Sequence, residues 1–159
     1  MKLFRGRERF QRAEPPETIT LKAIGRVQNG VVKPRPRGWE NVESRIVLNR
    51  EHSARALGLD GYSHVIVVFY MDLAAAAPEL PEQQTLASGK TYGIFATRSQ
   101  LRPNHLGVSV VALLGLARDG SAVTLSVRGL DAIDGTPVLD VKPYLPEYDS
   151  VPGATLPGG

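Results

Sequence analysis

The chain has no cysteine, which excludes a disulfide framework and any thiolate-ligated metal site. Its three histidines, His52, His64 and His105, stand far apart. Without a pair at helical ligand spacing, no metal is expected. No apolar run approaches the roughly 20 residues that a membrane-spanning helix needs, so no membrane partner is expected either. The first dozen residues are basic and lack an apolar stretch. A secretory signal is therefore not expected, and the chain reads as cytoplasmic. The glycine-rich loop of a dinucleotide-binding Rossmann unit is missing, as are internal repeats and a regular strand–helix alternation.

The composition fits one modest domain. Of 159 residues, 42% are hydrophobic, enough to build a core without covalent staples. The formal charge is +3, and its placement matters more than its size. Lys2, Arg5, Arg7, Arg9 and Arg12 crowd the start, while Lys33, Arg35 and Arg37 form a second cluster beside Trp39. Cations next to an aromatic suit a nucleic-acid backbone and an unstacked base. As a plain solvated arm and loop, the same residues need no ligand at all. Pro15-Pro16 marks the expected boundary between a flexible basic arm (1–16) and a folded domain (17–150). A Gly/Pro tail follows (151–159).

Strands dominate the pattern. Segment 18–27 begins with alternation at Ile19, Leu21 and Ala23, and 43–48 reads as a short strand. One or two helical turns are expected over 51–57, ended by Gly58. The β-branched and aromatic run 65–70 reads as a buried strand that His64 opens. Segment 73–88 reads as a loop or short helix. Strands are expected at 92–96, 108–116, 122–127 and 137–141, with Asp119-Gly120 as a hairpin turn. The expectation is a mainly β fold, a closed antiparallel barrel with short helical additions.

Between the strands expected at 92–96 and 108–116 lies Thr97-Arg98-Ser99-Gln100-Leu101-Arg102-Pro103-Asn104-His105. Pro103 fixes its own φ and pushes Arg102 toward an extended conformation, and Asn104 tolerates a turn. A polar, cationic loop held by a rigid scaffold is a common setting for a binding site; it is equally the pattern of a surface loop with solvated arginines. A second segment, 131–144, places Asp131, Asp134, Asp140, Lys142 and Tyr144 around an Asp134-Gly135 turn. Simple alternation puts Val138, Asp140 and Lys142 on one strand face, with Asp140 and Lys142 adjacent. Such a pair at a hairpin rim contributes little by itself.

These two segments resemble the tRNA methyltransferase O family, also called TsaA-like. Its members carry a block close to Gly-Val-Phe-Ala-Thr-Arg-Ser-Pro-x-Arg-Pro-Asn-Pro-Ile-Gly-Leu-Ser, here residues 93–109. A later block close to Asp-Leu-Leu-Asp-Gly-Thr-Pro-Val-Leu-Asp-Ile-Lys-Pro-Tyr-Leu-Pro falls at 131–146. Gly58-Leu59-Asp60-Gly61-Tyr62-Ser63-His64 is similar to a third, shorter block, and Ile24-Gly25 to the opening Ile-Gly. Gln100 and His105 stand where the family usually has prolines. Lys33-Pro34-Arg35-Pro36-Arg37 replaces a Pro-Arg-Gln segment that lines the cofactor in many members.

The resemblance implies a homodimeric barrel with an S-adenosylmethionine site near the subunit interface. It implies that Arg98, Val108, Gly129, Leu130 and Asp131 bind this cofactor, together with His64, Asp72, Pro34 and Arg35. It also implies tRNA as partner, with methylation of the N6 nitrogen of N6-threonylcarbamoyladenosine beside the anticodon. Asp134, Asp140 and Tyr144 are candidate bases for that reaction, Lys142 a candidate anion stabiliser, and Arg102 and Asn104 candidate substrate contacts. The changed Pro-Arg loop with Gln100 and His105, and separately the two basic clusters with Trp39, leave two other readings open. One is a cofactor-binding barrel acting on another acceptor. The other is a non-enzymatic nucleic-acid binding module.

Overall fold

The computed structural model describes residues 13–158. Eight strands follow in order: β1 (Gly25–Gln28), β2 (Glu43–Leu48), β3 (His64–Tyr70), β4 (Gln83–Thr85), β5 (Thr91–Gly93), β6 (Leu106–Asp119), β7 (Ala122–Arg128) and β8 (Pro137–Pro143). Six of them close into a barrel in the order β1-β2-β7-β6-β3-β8. Every pairing around it is antiparallel, and β1 meets both β2 and β8. This is the barrel expected from the sequence. The helical additions are short: α1 (Asp72–Ala75), α2 (Pro146–Asp149) and several 3-10 turns, among them Arg50–Ala56 before Gly58.

Alternation explains the closure. In β2, β3 and β7 every second residue is buried, and these positions are almost all branched aliphatics. Val27, Ile46, Val65, Val67, Val123 and Leu125 have no exposed surface and fill the barrel interior. Closure also removes the free sheet edges that would otherwise invite pairing with another chain.

Four expectations need correction. Residues 18–24 form no strand, and Ile19 and Leu21 are exposed. The ladder starts at Gly25, whose partner Leu48 is the last residue of β2; upstream, Ile24 hydrogen-bonds to Val138 and Asn49, and Ala23 to Asn49, without extending the strand. Segment 92–96 is not a barrel strand: β5 pairs only with β4, inside the stretch expected to be loop or short helix, and Ile94–Ala96 is a 3-10 turn. The β6–β7 hairpin turns on Gly120 and Ser121, since Asp119 still pairs with Ala122; Gly120 supplies the positive φ of 58°. Finally, Val138 does not share a face with Asp140 and Lys142. A bulge shifts the β3–β8 register between Val68/Asp140 and Phe69/Val138. The extra residue, Leu139, reverses the parity, so Val138 is fully buried while Asp140 and Lys142 face outward. Of the expected arm, residues 1–12 lie outside the described residues.

Candidate functional site

The arginine loop is an arch braced from within. Thr97 Oγ1 donates to Ile94 O at 2.8 Å, and Ser99 N donates to Thr97 Oγ1 at 3.2 Å. Arg102 reaches back across the arch, its Nη1 donating to Thr97 O at 2.8 Å and to Ser99 O at 3.3 Å. Asn104 and His105 have φ of 64° and 48°, a conformation that non-glycine residues adopt rarely and that Asn accepts best. Met71 N donates to His105 O at 2.9 Å, tying the arch to the end of β3. The side chain of Arg102 therefore braces the loop, while Asn104 is exposed at its tip.

Arg98 leaves the arch toward β6, where its Nη2 donates to Val108 O at 3.0 Å. Opposite it, the Ser109 hydroxyl donates to Asp131 Oδ1 at 2.6 Å. Asp131 sits on the loop between β7 and β8, which is pinned to the β1 end. Asn29 Nδ2 donates to Ala132 O at 2.8 Å, and Gly135 N donates to Val27 O at 2.7 Å. Asp134 accepts from Asn29 N at 2.8 Å and Gly30 N at 3.2 Å. These two backbone N–H donors hold the Asp134 carboxyl below its ordinary value.

Arg98 and Asp131 line both lobes of one cleft, together with Trp39, Phe69 and Met71. One lobe, about 680 Å³, adds Arg102, Val108, Ser109 and Gly129. The other, about 510 Å³, adds Pro34, Arg35, Asp72 and Gln100. Either lobe is within the size range of small-molecule sites, which runs from ~300 to 1,000 Å³. Gly107, opposite Phe69 in the β3–β6 ladder, lets the Phe69 ring reach the floor: a Cβ there would collide with the ring. Trp39 Nε1 donates to Arg35 O at 2.8 Å, and the Arg35 guanidinium lies 5.5 Å from the centre of the Trp39 ring. Guanidinium cations and a carboxylate thus face each other over a partly apolar floor. Such a cleft can take a ligand with an anionic end, hydroxyl or ammonium donors, and a flat or apolar body.

Of the residues expected to hold a cofactor, Arg98, Val108, Gly129, Asp131, Asp72, Pro34 and Arg35 converge here. Leu130 is fully buried, so its side chain belongs to the core. Gly129 N donates to Val42 O at 3.0 Å, which removes that N–H from any role in reading an adenine edge. His64 lies outside the cleft; it is exposed at the far end of β3, with Nδ1 2.9 Å from Ser63 Oγ and its ring edge-on to Tyr144. Asp140 and Lys142 form an outward ion pair at 2.7 Å, and Tyr144 follows β8 at the His64 end. That pair raises the Lys142 pKa through the hydrogen bond and charge of Asp140. Within one chain, Asp134, Asp140, Lys142 and Tyr144 do not line the cleft. Phe69, Met71, Ser109 and Trp39 belong to it without having been singled out as cofactor contacts; only the barrel register brings them together. Among the described residues no cluster of His, Asp or Glu suits a metal ion, and no helix is long and apolar enough to cross a membrane.

A family model described as the tRNA-methyltransferase O N-terminal domain matches residues 28–150. A tRNA (adenine(37)-N6)-methyltransferase of Escherichia coli is 34% identical over 130 residues, covering 80% of this chain and 53% of that protein. An S-adenosyl-L-methionine-binding protein of Archaeoglobus fulgidus is 36% identical over 141 residues, covering 84% of this chain and 94% of that one. A solved structure of TrmO superposes with a TM-score of 0.68 at 32% identity, covering 87% of this chain and 63% of the other. The chain thus spans about half the length of the Escherichia coli relative.

Proposed function

The chain belongs to the tRNA-methyltransferase O N-terminal domain family, and from that membership and the make-up of the cleft we propose that it is an S-adenosyl-L-methionine-dependent tRNA methyltransferase. The acceptor in this reading is the adenine N6 of N6-threonylcarbamoyladenosine beside the anticodon. The observation that carries it is the convergence of Arg98 and Asp131, one from each long sequence block, on one cleft.

The donor set fits the cofactor. Arg98 would hold a carboxylate, having four further N–H donors beyond the one engaged by Val108 O. Asp131, oriented by Ser109, would accept from ribose hydroxyls or an ammonium. Phe69 and Met71 would exclude water from the apolar part of the ligand. When bound, that cofactor supplies an electrophilic methyl group on a sulfonium centre. Catalysis by the chain is then mainly placement of the acceptor nitrogen in line with that methyl.

An N6 nitrogen attached to a carbonyl is a weak nucleophile, and its proton must leave as the new N–C bond forms. A base within hydrogen-bond reach accelerates this. Asp140 and Lys142 carry the required chemistry, but from the outer face of β8, and Tyr144 does so from just past its end. On the same barrel surface, one strand away across β3, Leu106, Val108 and Val110 expose apolar side chains on β6. Val108 also lines the cleft. A homodimer formed on this face would bring the β8 residues of one copy toward the cleft of the other. Mixing Arg98→Ala chains with Lys142→Ala chains tests this: partial recovery of activity marks a site shared between copies, and no recovery marks a site within one chain. In this reading Asp134 has a positioning role, holding the loop that carries Asp131.

A second reading, a cofactor-binding barrel with another acceptor, draws on the match to nearly the whole Archaeoglobus fulgidus protein. Methyl transfer from labelled S-adenosyl-L-methionine to tRNA with and without the threonylcarbamoyl group decides between them. Transfer to modified tRNA alone supports the first reading. Cofactor binding without transfer to either tRNA supports the second.

A further inference from the structure

Trp39 is the single tryptophan of the chain. It stands at the junction of the two cleft lobes, half-buried and lining both. Its orientation is set from two sides. The indole N–H donates to Arg35 O, and the Arg35 guanidinium lies over the ring. Gly38, with φ of 85°, turns the chain so that Trp39 and Arg35 face each other. The surrounding cleft offers Arg98 and Arg102 as cations and Asp131 as an acceptor. A fixed indole with cations nearby is the arrangement that holds a flat heterocycle attached to an anionic or ribose-bearing frame. The pyrrolidine rings of Pro34 and Pro36 fix the backbone φ at two positions of the segment leading to it.

We propose that Trp39 is the stacking platform for a purine base in this cleft, and that Arg35 exchanges its contact with the indole for one to the ligand as the base enters. The inference rests on the methyltransferase reading above. The purine has two possible sources: the adenine of the cofactor and the acceptor base lifted from the RNA. Both present the same ring face to the indole. Removing an aromatic platform weakens base binding by roughly 1–3 kcal/mol, equivalent to about 5- to 150-fold.

Because the chain has one tryptophan, its fluorescence reports on Trp39 alone. The test titrates the intact protein with S-adenosylhomocysteine, then with an anticodon stem–loop, while calorimetry follows the same binding independently. Quenching by S-adenosylhomocysteine supports the platform and assigns it to the cofactor. Quenching that needs the stem–loop supports it and assigns it to the acceptor base. The ligand that quenches should bind about 10- to 100-fold more weakly to Trp39→Leu, and within about threefold of normal to Trp39→Phe, which keeps an aromatic face. Arg35→Ala should alter the emission of the free protein and weaken binding of the ligand that quenches, while quenching at saturation persists. Calorimetric binding without any change in Trp39 emission, and with unchanged affinity in Trp39→Leu, overturns the platform and leaves the methyltransferase reading intact. Absence of calorimetric binding by either ligand removes both.

Discussion

The cleft and the outer face of β8 carry the same kinds of charged residue, held in different ways. In the cleft, Arg98 is fixed to a β6 carbonyl and Asp131 to a β6 hydroxyl, so each charge is oriented by a neighbouring strand. On β8, Asp140 and Lys142 pair with each other, the only further side-chain bond among the described residues being from Val141 N to Asp140 Oδ1, and their side chains are about half exposed. Oriented charges beside an apolar floor recognise a ligand at little cost in side-chain entropy. A solvated pair does neither until something covers it. In the proposed reading, the difference separates a cofactor cleft lined within one chain from a candidate catalytic edge that needs a second surface.

The largest way to break this comparison is from below. Leu130, the residue before Asp131 on the same loop, is fully buried. Leu130→Ala should cost about 2–5 kcal/mol in urea denaturation, as buried Leu truncations do. Cofactor affinity should fall with it if the core is what positions Asp131. Gly107→Ala drives a methyl into the Phe69 ring and should cost about 1–3 kcal/mol as overpacking. It should also reshape the cleft floor and weaken S-adenosylhomocysteine binding measured by calorimetry.

The β8 face should behave otherwise. Asp140→Asn and Lys142→Met should each change stability by less than about 1 kcal/mol, the usual range for exposed pairs, while cofactor binding stays unchanged. Because Asp140 raises the Lys142 pKa, the contribution of the pair is complete below the ordinary lysine value, about 10.4. It is lost as the pH rises through the folded value, so the wild-type midpoint should fall there more than that of Lys142→Met.

The smallest effect is expected at Asp134, whose carboxyl is held below its ordinary value by Asn29 and Gly30. A depressed folded value means that its contribution is present in full above the unfolded value, about 3.9, and is lost as the pH falls through the folded value. Melting temperatures of wild type and Asp134→Asn measured from neutral pH downward should converge below about pH 4. Curves that stay parallel would show that Asp134 does not pin the loop.

Much of this was legible in the residues. The order of short strands, with the continuous β-branched run of β3 among them, announces a barrel, and the two long blocks point to Arg98 and Asp131. What was hidden depended on register. Leu139 looks like any strand residue, yet as a bulge it reverses the face of every residue after it. Ile19 and Leu21 alternate like a strand, but no partner reaches them. Phe69 enters the cleft only because a glycine happens to stand opposite it in the next strand. Arg102 reads as a ligand contact from its motif; its carbonyl partners within the arch are set by a loop geometry that no periodicity reveals. Trp39 was noted for its basic neighbours, but its place between the two lobes is a product of the folded chain.

The most direct test is calorimetric binding of S-adenosylhomocysteine to Arg98→Ala, Asp131→Ala and Asp140→Ala. The account predicts about 10- to 100-fold weaker binding for the first two, the scale of a lost charge-assisted hydrogen bond, and wild-type affinity for the third. Unchanged binding in Arg98→Ala and Asp131→Ala would contradict it and place the cofactor elsewhere on the barrel.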